Sequence, residues 1–266
     1  MTPACRTARG LAAGVPVRGD RALHSETEAV AAAMAISPDG RRAALMDNLV
    51  SALKAAGVWA RLDALFVMAA ADAQAAGLNW AAPGGASLTP VNSPDFAPDL
   101  GYQGDGATSY LETGFVQSSA MKYKIADHHA GVFVVDGGGT GIVFGNSRNR
   151  LQPWTSAGQI LTRSNSTISD QSPVDSGLGH SAMSRTETER YHVVKDGALL
   201  GEPDIANTTL AGHPLILLGY GTTGNPSGLA AWRLGAAHFG AGLSPTQMAL
   251  THAALATYLR GVGAWA

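Results

Sequence analysis

Charge is scarce in this chain: of 266 residues only 18 are Lys or Arg and 20 are Asp or Glu. That is 14%, against about 25% in ordinary globular proteins. The formal net charge of −2 leaves no broad basic field, which excludes a nucleic-acid binder and an acidic membrane surface as partner. Cysteine is nearly absent. Cys5 alone cannot build a disulfide framework or a cysteine-based zinc site within one chain. Long apolar runs are missing too. The longest uncharged stretch, 234–259, contains His238, Ser244, Pro245, Gln247 and His252 and does not read as a membrane span. Leu11–Val17, preceded by Arg6 and Arg9, is short and broken by Gly14 and Pro16, so it does not read as a secretory signal. The expectation is a protein made inside the cell, without membrane insertion.

What is present divides the chain in two. A hydrophobic fraction of 45% is enough for a core, and 33 residues are glycine. Six glycines fall in residues 1–80 and 27 in the rest, while the first 80 residues hold 23 alanines. This predicts a flexible N-terminus (1–24), an alanine-rich helical arm (25–80) and a glycine-turned β body (81–266). In the arm, Ser25-Glu26-Thr27-Glu28 fits a capping box for a helix over 26–36. Ser37-Pro38-Asp39 restarts a helix with Ser37 as cap, and Leu45, Leu49 and Leu53 give it one apolar stripe, closed by Gly57. Trp59, Leu62, Leu65, Phe66, Ala69 and Ala73 predict a second amphipathic helix closed by Gly77, and so a helical hairpin. Such an arm either stabilises the body as a satellite layer or attaches the protein to something else.

From residue 87 the helical period disappears. Short apolar or alternating runs follow: Tyr110–Phe115, Gly131–Val135, Gly141–Phe144, Gln159–Thr162, Arg190–Val194, Pro214–Gly219 and Ala230–Phe239. Turn residues separate them, and Asp196-Gly197 marks the clearest hairpin. This many short strands predict an antiparallel sandwich. Ser244-Pro245-Thr246-Gln247 is a capping box opening a last helix with Met248, His252, Leu255 and Leu259 on one face and Gly261 at its end. His252 reads as a packed-edge histidine.

Little here reads as catalytic or metal-binding. Glu187 and Glu189 stand two apart on an expected strand, facing one side, which resembles half of a glycosidase carboxylate pair. The flanking Arg185 and Arg190 favour a solvated, charge-paired face instead. Gly179-His180-Ser181-Ala182-Met183 lacks the closing glycine of a nucleophile elbow. His128 and His129 are adjacent, so on a strand they point to opposite faces and cannot easily share an ion; one inward histidine is expected. Asp136, Asp170 and Asp175 are loop acids without the spacing of a calcium loop, so calcium stays a minor possibility and no metal is assigned. Gly137-Gly138-Gly139-Thr140-Gly141 lacks the lysine and helix start of a phosphate cradle.

Several stretches together carry a resemblance. They are Leu62-Asp-Ala-Leu65 through Leu78-Asn79-Trp80, Leu88–Pro94, Gly101-Tyr-Gln-Gly-Asp-Gly-Ala-Thr-Ser-Tyr-Leu-Glu-Thr-Gly-Phe115, Asp127-His-His-Ala-Gly-Val132, Tyr191–Leu200 and Phe239–Gln247. Over residues 40–266 the chain resembles phage and prophage virion proteins with a lectin-like (concanavalin A-like, LamG-like) jelly-roll domain. Relatives of that family include tail-fibre and head-spike proteins of phages and alphaproteobacterial gene transfer agents. The resemblance implies a mainly β jelly-roll sandwich with an N-terminal helical arm and a C-terminal helix, on a phage-like particle assembled in the bacterial cytoplasm. It also implies a homo-oligomer that joins other virion proteins through the arm and binds host surface or capsular polysaccharide. A glycan hydrolase on the same fold and a purely structural spike are the alternatives.

Sugar sites in such folds combine an aromatic platform with planar hydrogen-bonding groups. The densest mixture is the stretch 146–154, with Asn146, Arg148, Asn149 and Trp154. A second is the 220–225 loop, with Tyr220 and Asn225. Trp154 could equally be a core or rim residue.

Overall fold

The computed structural model describes residues 22–222 and 224–266, so Cys5 and most of the expected flexible N-terminus lie outside the described residues. In chain order the helices are α1 (Ser25–Ala33), α2 (Gly40–Ala55), α3 (Ala73–Gly77) and α4 (Pro245–Val262). The first strands are β1 (Leu62–Val67), β2 (Thr89–Val91), β3 (Asp95–Ala97), β4 (Gly101–Gln103), β5 (Tyr110–Val116) and β6 (His128–Gly138). Next come β7 (Phe144–Gly145), β8 (Arg150–Gln152), β9 (Gln159–Arg163), β10 (Asp170–Pro173), β11 (Gly179–Arg185) and β12 (His192–Lys195). The series closes with β13 (Ala198–Gly201), β14 (Pro214–Leu217), β15 (Tyr220–Thr222), β16 (Asn225–Ser227) and β17 (Ala231–Gly240).

Two antiparallel sheets face each other. The first runs β13-β12-β11-β6-β17-β4-β3, with β1 paired to the far half of β17. The second runs β10-β9-β8-β7-β14-β5-β2, and β15 and β16 form a separate two-stranded ribbon. Between the sheets lies one core, with Phe66, Val132, Val134 and Phe239 from the first and Leu111, Phe144, Leu151 and Leu217 from the second. A further core fills the back of the first sheet: Leu65, Phe133, Val194 and Ala236 pack there against Val50 and Leu53 of α2 and Leu255 and Leu259 of α4. The layers are therefore helices, first sheet, second sheet. Only on the second sheet does the outer face lack a helical cover among the described residues.

That layering corrects the reading of the arm. Leu62–Ala70 is a buried strand and its continuation, not a helix, and it hydrogen-bonds to β17 in register from Leu65 opposite His238 to Val67 opposite Ala236. Its sheet is covered on both faces, so nearly every position is apolar and the two-residue period vanishes from the sequence. A doubly buried strand cannot be told from a buried helix by periodicity. The segment 25–80 is thus no free-standing hairpin: α1 and α2 lie on the sandwich and β1 lies within it.

The helix ends differ in detail from expectation. α2 is capped by Asp39, whose carboxylate accepts from Arg42 N at 2.7 Å, rather than by Ser37. α1 begins after His24 without a side-chain cap. Its neighbour Asp47 accepts from His24 N at 2.7 Å and from Thr27 Oγ1 at 2.9 Å, which ties α1 to α2 instead. α4 has the expected capping box at Ser244 and Gln247. It runs past Gly261 to a left-handed Gly263. At Gly261 a Cβ would come within 2.5 Å of Leu45 Cδ2, so that glycine serves α2–α4 packing rather than termination. The Asp196-Gly197 hairpin forms as expected, with φ of 49° and 81° and Lys195 opposite Ala198.

The recurring polar residues of the body hold the scaffold. Asn79 accepts from Leu65 N and Ala81 N, each at 3.0 Å, and donates to Asp63 O at 3.1 Å. Asp63 accepts in turn from Lys122 N and Tyr123 N. Asp105 accepts from the backbone N–H groups of Ala107, Thr108 and Ser109, and these bonds hold its carboxyl far below the usual carboxylate range. Gly101, at φ 98°, could not carry a side chain, because a Cβ would lie 2.1 Å from Leu234 O.

Candidate functional site

The open face of the second sheet is built by strand alternation. Along β8 and β9, Leu151, Ile160 and Thr162 point into the core, while Arg150, Gln152, Gln159, Leu161 and Arg163 are half-buried on the outside. Register sets them in rows. Arg150 stands opposite Arg163 on one side and Gly145 on the other; Gln152 stands opposite Leu161, and Leu161 opposite Gln171. Arg148 lies in the β7–β8 turn at the same end of the face.

Tyr220 organises that end. Its chain passes so close to β7 that a Cβ on Gly145 would meet Tyr220 Cβ at 2.7 Å. Its ring lies against Gly228 on one side and carries the Arg150 guanidinium 3.6 Å from its centroid. Tyr220 is therefore a support for a cation, not the free stacking platform expected for a sugar. Trp154 is half-buried, packed on the inter-sheet core and against Gly158 and Gly177. Asn225 is exposed on the ribbon. Beside it a shallow polar depression of about 400 Å³ is lined by Gly106, Thr140, Gly141, Pro226, Ser227 and Gly228.

Asn146 and Asn149 are not surface residues. Both are fully buried. Asn146 Oδ1 accepts from Arg148 N and Asn149 N, each at 2.9 Å, which shapes the turn that displays Arg148. Asn149 Nδ2 donates to Asn165 Oδ1 at 2.6 Å, and Asn165 N donates to Asn149 Oδ1 at 3.0 Å. Gln117, Tyr123 and His128 complete this interior network. Burial without a compensating partner is expensive, so such a network is closed upon itself and unavailable to a ligand.

His128 and His129 point to opposite faces as the strand requires, yet both are buried, because their sheet is covered on both sides. Behind it His129, His180 and His238 form a cluster that the sequence scatters over three strands. His180 Nε2 lies 2.9 Å from His238 Nε2. Phe133 stacks on His180 and on His252 of α4. Burial pushes His129 down to about 4 and His180 to about 3, and holds His238 well below the ordinary imidazole range. Among the described residues no group of three His, Cys, Asp or Glu side chains could hold a metal ion, so neither this cluster nor Asp136, Asp170 and Asp175 supplies one.

Glu187 and Glu189 lie in the exposed bend after β11, not on a strand, which removes the shared facing expected of them. Glu187 pairs with Arg190 at 3.3 Å. The bend is held from below by buried Arg185, whose guanidinium donates to the carbonyls of Thr188 at 2.6 Å, Arg190 at 3.1 Å and Ile205 at 2.8 Å. Ser181 is buried in mid-strand, with no helix following it.

Sequence reasoning found Arg148 and Tyr220, held Arg150 and Gln152 only as members of the 146–154 stretch, and missed Arg163 and Gln159. A signal was there: Gln159-Ile-Leu-Thr-Arg163 places its long polar residues at alternate positions, the mark of a half-exposed strand.

No family model and no curated protein matches the chain. Solved structures do. A mutant Trypanosoma rangeli sialidase displaying trans-sialidase activity superposes with a TM-score of 0.51 at 13% identity, over 83% of this chain and 39% of that one. The Trypanosoma rangeli sialidase in complex with 2,3-difluorosialic acid gives 0.51 at 11% identity, over 80% and 39%. Domain 4 of an extracellular arabinanase from Geobacillus stearothermophilus, in complex with arabinotriose, gives 0.45 at 13%, over 72% and 98%. The chain spans about two fifths of the sialidase chains it matches. At this identity the likeness is one of fold: a mainly β, antiparallel, lectin-like sandwich with helices at its N- and C-terminal ends.

Proposed function

We propose that this protein is a non-enzymatic glycan-binding module of a phage-like particle, a fibre or spike component. It takes host surface polysaccharide on the open face of the second sheet. The observation that carries this reading is that face itself: arginines and glutamines set in rows by strand register, beside Trp154 and Tyr220, in a sandwich whose other large sheet is sealed by helices. Planar polar groups on a rigid sheet suit a chain of sugar hydroxyls, and rigidity lowers the ordering cost of binding. The virion assignment rests on the sequence resemblance. The exposed, arginine-paired setting of Glu187 supports binding rather than hydrolysis.

In this reading the helical layer carries the docking face for other virion proteins and for copies of the same chain. Its support is a groove of about 230 Å³ between α2 and α4, lined by Leu45, Leu49, Ala52 and Ala253, with Leu250 46% exposed beside it. The test is to incubate the purified protein with envelope polysaccharide and with intact cells. Retention on both without release of reducing ends is expected. Release of reducing ends would replace this reading with a hydrolase and direct attention to Glu187 and Glu189. Absence of any binding would leave a purely structural spike.

A further inference from the structure

Three arginines meet at one end of the open face with no carboxylate to neutralise them. Arg150 and Arg163 stand directly opposite each other on adjacent antiparallel strands, a placement in which like charges destabilise the pair. Arg148 joins them: its carbonyl accepts from Ser166 N at 3.1 Å, which pins the β7–β8 turn against the loop that follows β9. Elsewhere Arg42 pairs with Asp99, Arg61 with Asp127, Arg190 with Glu187 and Asp204, and Arg233 with Asp95, while Arg41, Arg185 and Arg260 donate to backbone carbonyls. Among the described residues Arg148, Arg150 and Arg163 have no acid.

Their existing contacts position them without neutralising them. Arg163 Nε donates to Ser169 Oγ at 3.0 Å. Arg150 rests on the Tyr220 ring, and its Nε is buried with no acceptor. Partial burial, followed by the charges of Arg150 and Arg148, lowers the pKa of Arg163 from its ordinary value. In a chain this poor in charge, grouping unneutralised cations on a half-buried face costs stability when the face is empty. An anion would reverse that cost. Guanidinium forks bind carboxylates in a planar, two-pronged manner, and already ordered side chains lose little freedom in doing so.

From this geometry we infer that the site selects acidic glycans, polymers whose sugar rings carry carboxylates, with the Arg150–Arg163 pair and Arg148 receiving the carboxylate groups. The inference rests on the glycan-binding reading and narrows its ligand class. Leu161 and Gln152, in the next row of the same face, supply an apolar strip and an amide oxygen for the sugar ring that follows, the Gln152 Nε2 being held by Thr140 O and Trp154 O.

Titration of the full chain with polygalacturonate, with its carboxyl-reduced form and with a DNA duplex of similar charge tests it. The expected result is that only polygalacturonate binds, with an affinity that falls steeply with salt. Arg163→Gln and Arg148→Gln should each weaken it about tenfold, the worth of a charge-assisted hydrogen bond. Arg190→Gln, which removes an equal charge outside the site, should leave binding unchanged. Equal binding of the carboxyl-reduced polymer would overturn the acidic selectivity and leave the glycan-binding reading standing. Equal binding of DNA, or equal weakening by Arg190→Gln, would overturn it in favour of general polyanion attraction. Failure to bind any polysaccharide, charged or neutral, would overturn both.

Discussion

The two large sheets of this protein are made of similar strands and have opposite fates. The first is covered on both faces, by the second sheet in front and by α1, α2 and α4 behind, and it buries even His129, His180 and His238. The second has one covered face and, along β8, β9 and β10, an open one, where its outward polar side chains are displayed rather than enclosed. A helical layer on one sheet therefore does more than add core. It assigns roles, because the sheet it leaves uncovered becomes the surface on which a ligand can lie.

The largest expected effect is in the sealed sheet. Phe133→Ala removes a ring stacked on His180 and His252 and edge-on to Trp265. It should cost about 3–5 kcal/mol in urea unfolding, and a cost comparable to that of a surface position would break the comparison. Acid should act on the same region. The buried imidazoles are neutral in the folded protein, whereas in the unfolded chain they protonate near their ordinary pKa of about 6.5. Below that point the unfolded state binds more protons, so stability should be flat above it and fall steadily as pH drops towards the values of about 4 and 3 for His129 and His180. The loss is on the order of 3 kcal/mol per buried ring by pH 4. Thermal midpoints recorded from pH 7.5 to pH 4 check this, and a level profile would refute it.

Smaller effects sharpen the contrast. Ser244→Ala removes the acceptor for Gln247 N at 3.2 Å and loosens the start of the covering helix α4. A loss of about 1 kcal/mol is expected by calorimetry. On the open sheet Leu161→Ser should change stability by no more than about 0.5 kcal/mol, since its side chain stands outside the core. A substantially larger loss at Leu161 would show that the open face is covered in solution.

Much of the fold was legible. Glycine turns, the Asp196-Gly197 hairpin, strands over the expected runs 110–115, 131–135 and 159–162 and the Ser244 capping box depend on neighbours close in sequence, and they form, the middle strand reaching further, from His128 to Gly138. The reading failed at Leu62–Val67, because burial on both faces erases the alternation that identifies a strand. It failed at Asn146 and Asn149 for a related reason. Polar residues in a loop suggest a surface, but partners such as Gln117, Tyr123 and Asn165, distant in sequence, satisfy them inside. Of the candidate site, Arg148 and Tyr220 were visible by composition, whereas Arg150 and Arg163 gain meaning only when register sets them side by side.

The sequence by itself determined the class of fold and the shortage of acid–base groups, since both follow from composition and local turn chemistry. Tertiary structure decided which sheet is sealed and which is open, and therefore which arginines stand together without a counter-charge. Those outcomes depend on pairings between residues far apart in the chain. No local pattern encodes a neighbour that arrives from a different strand.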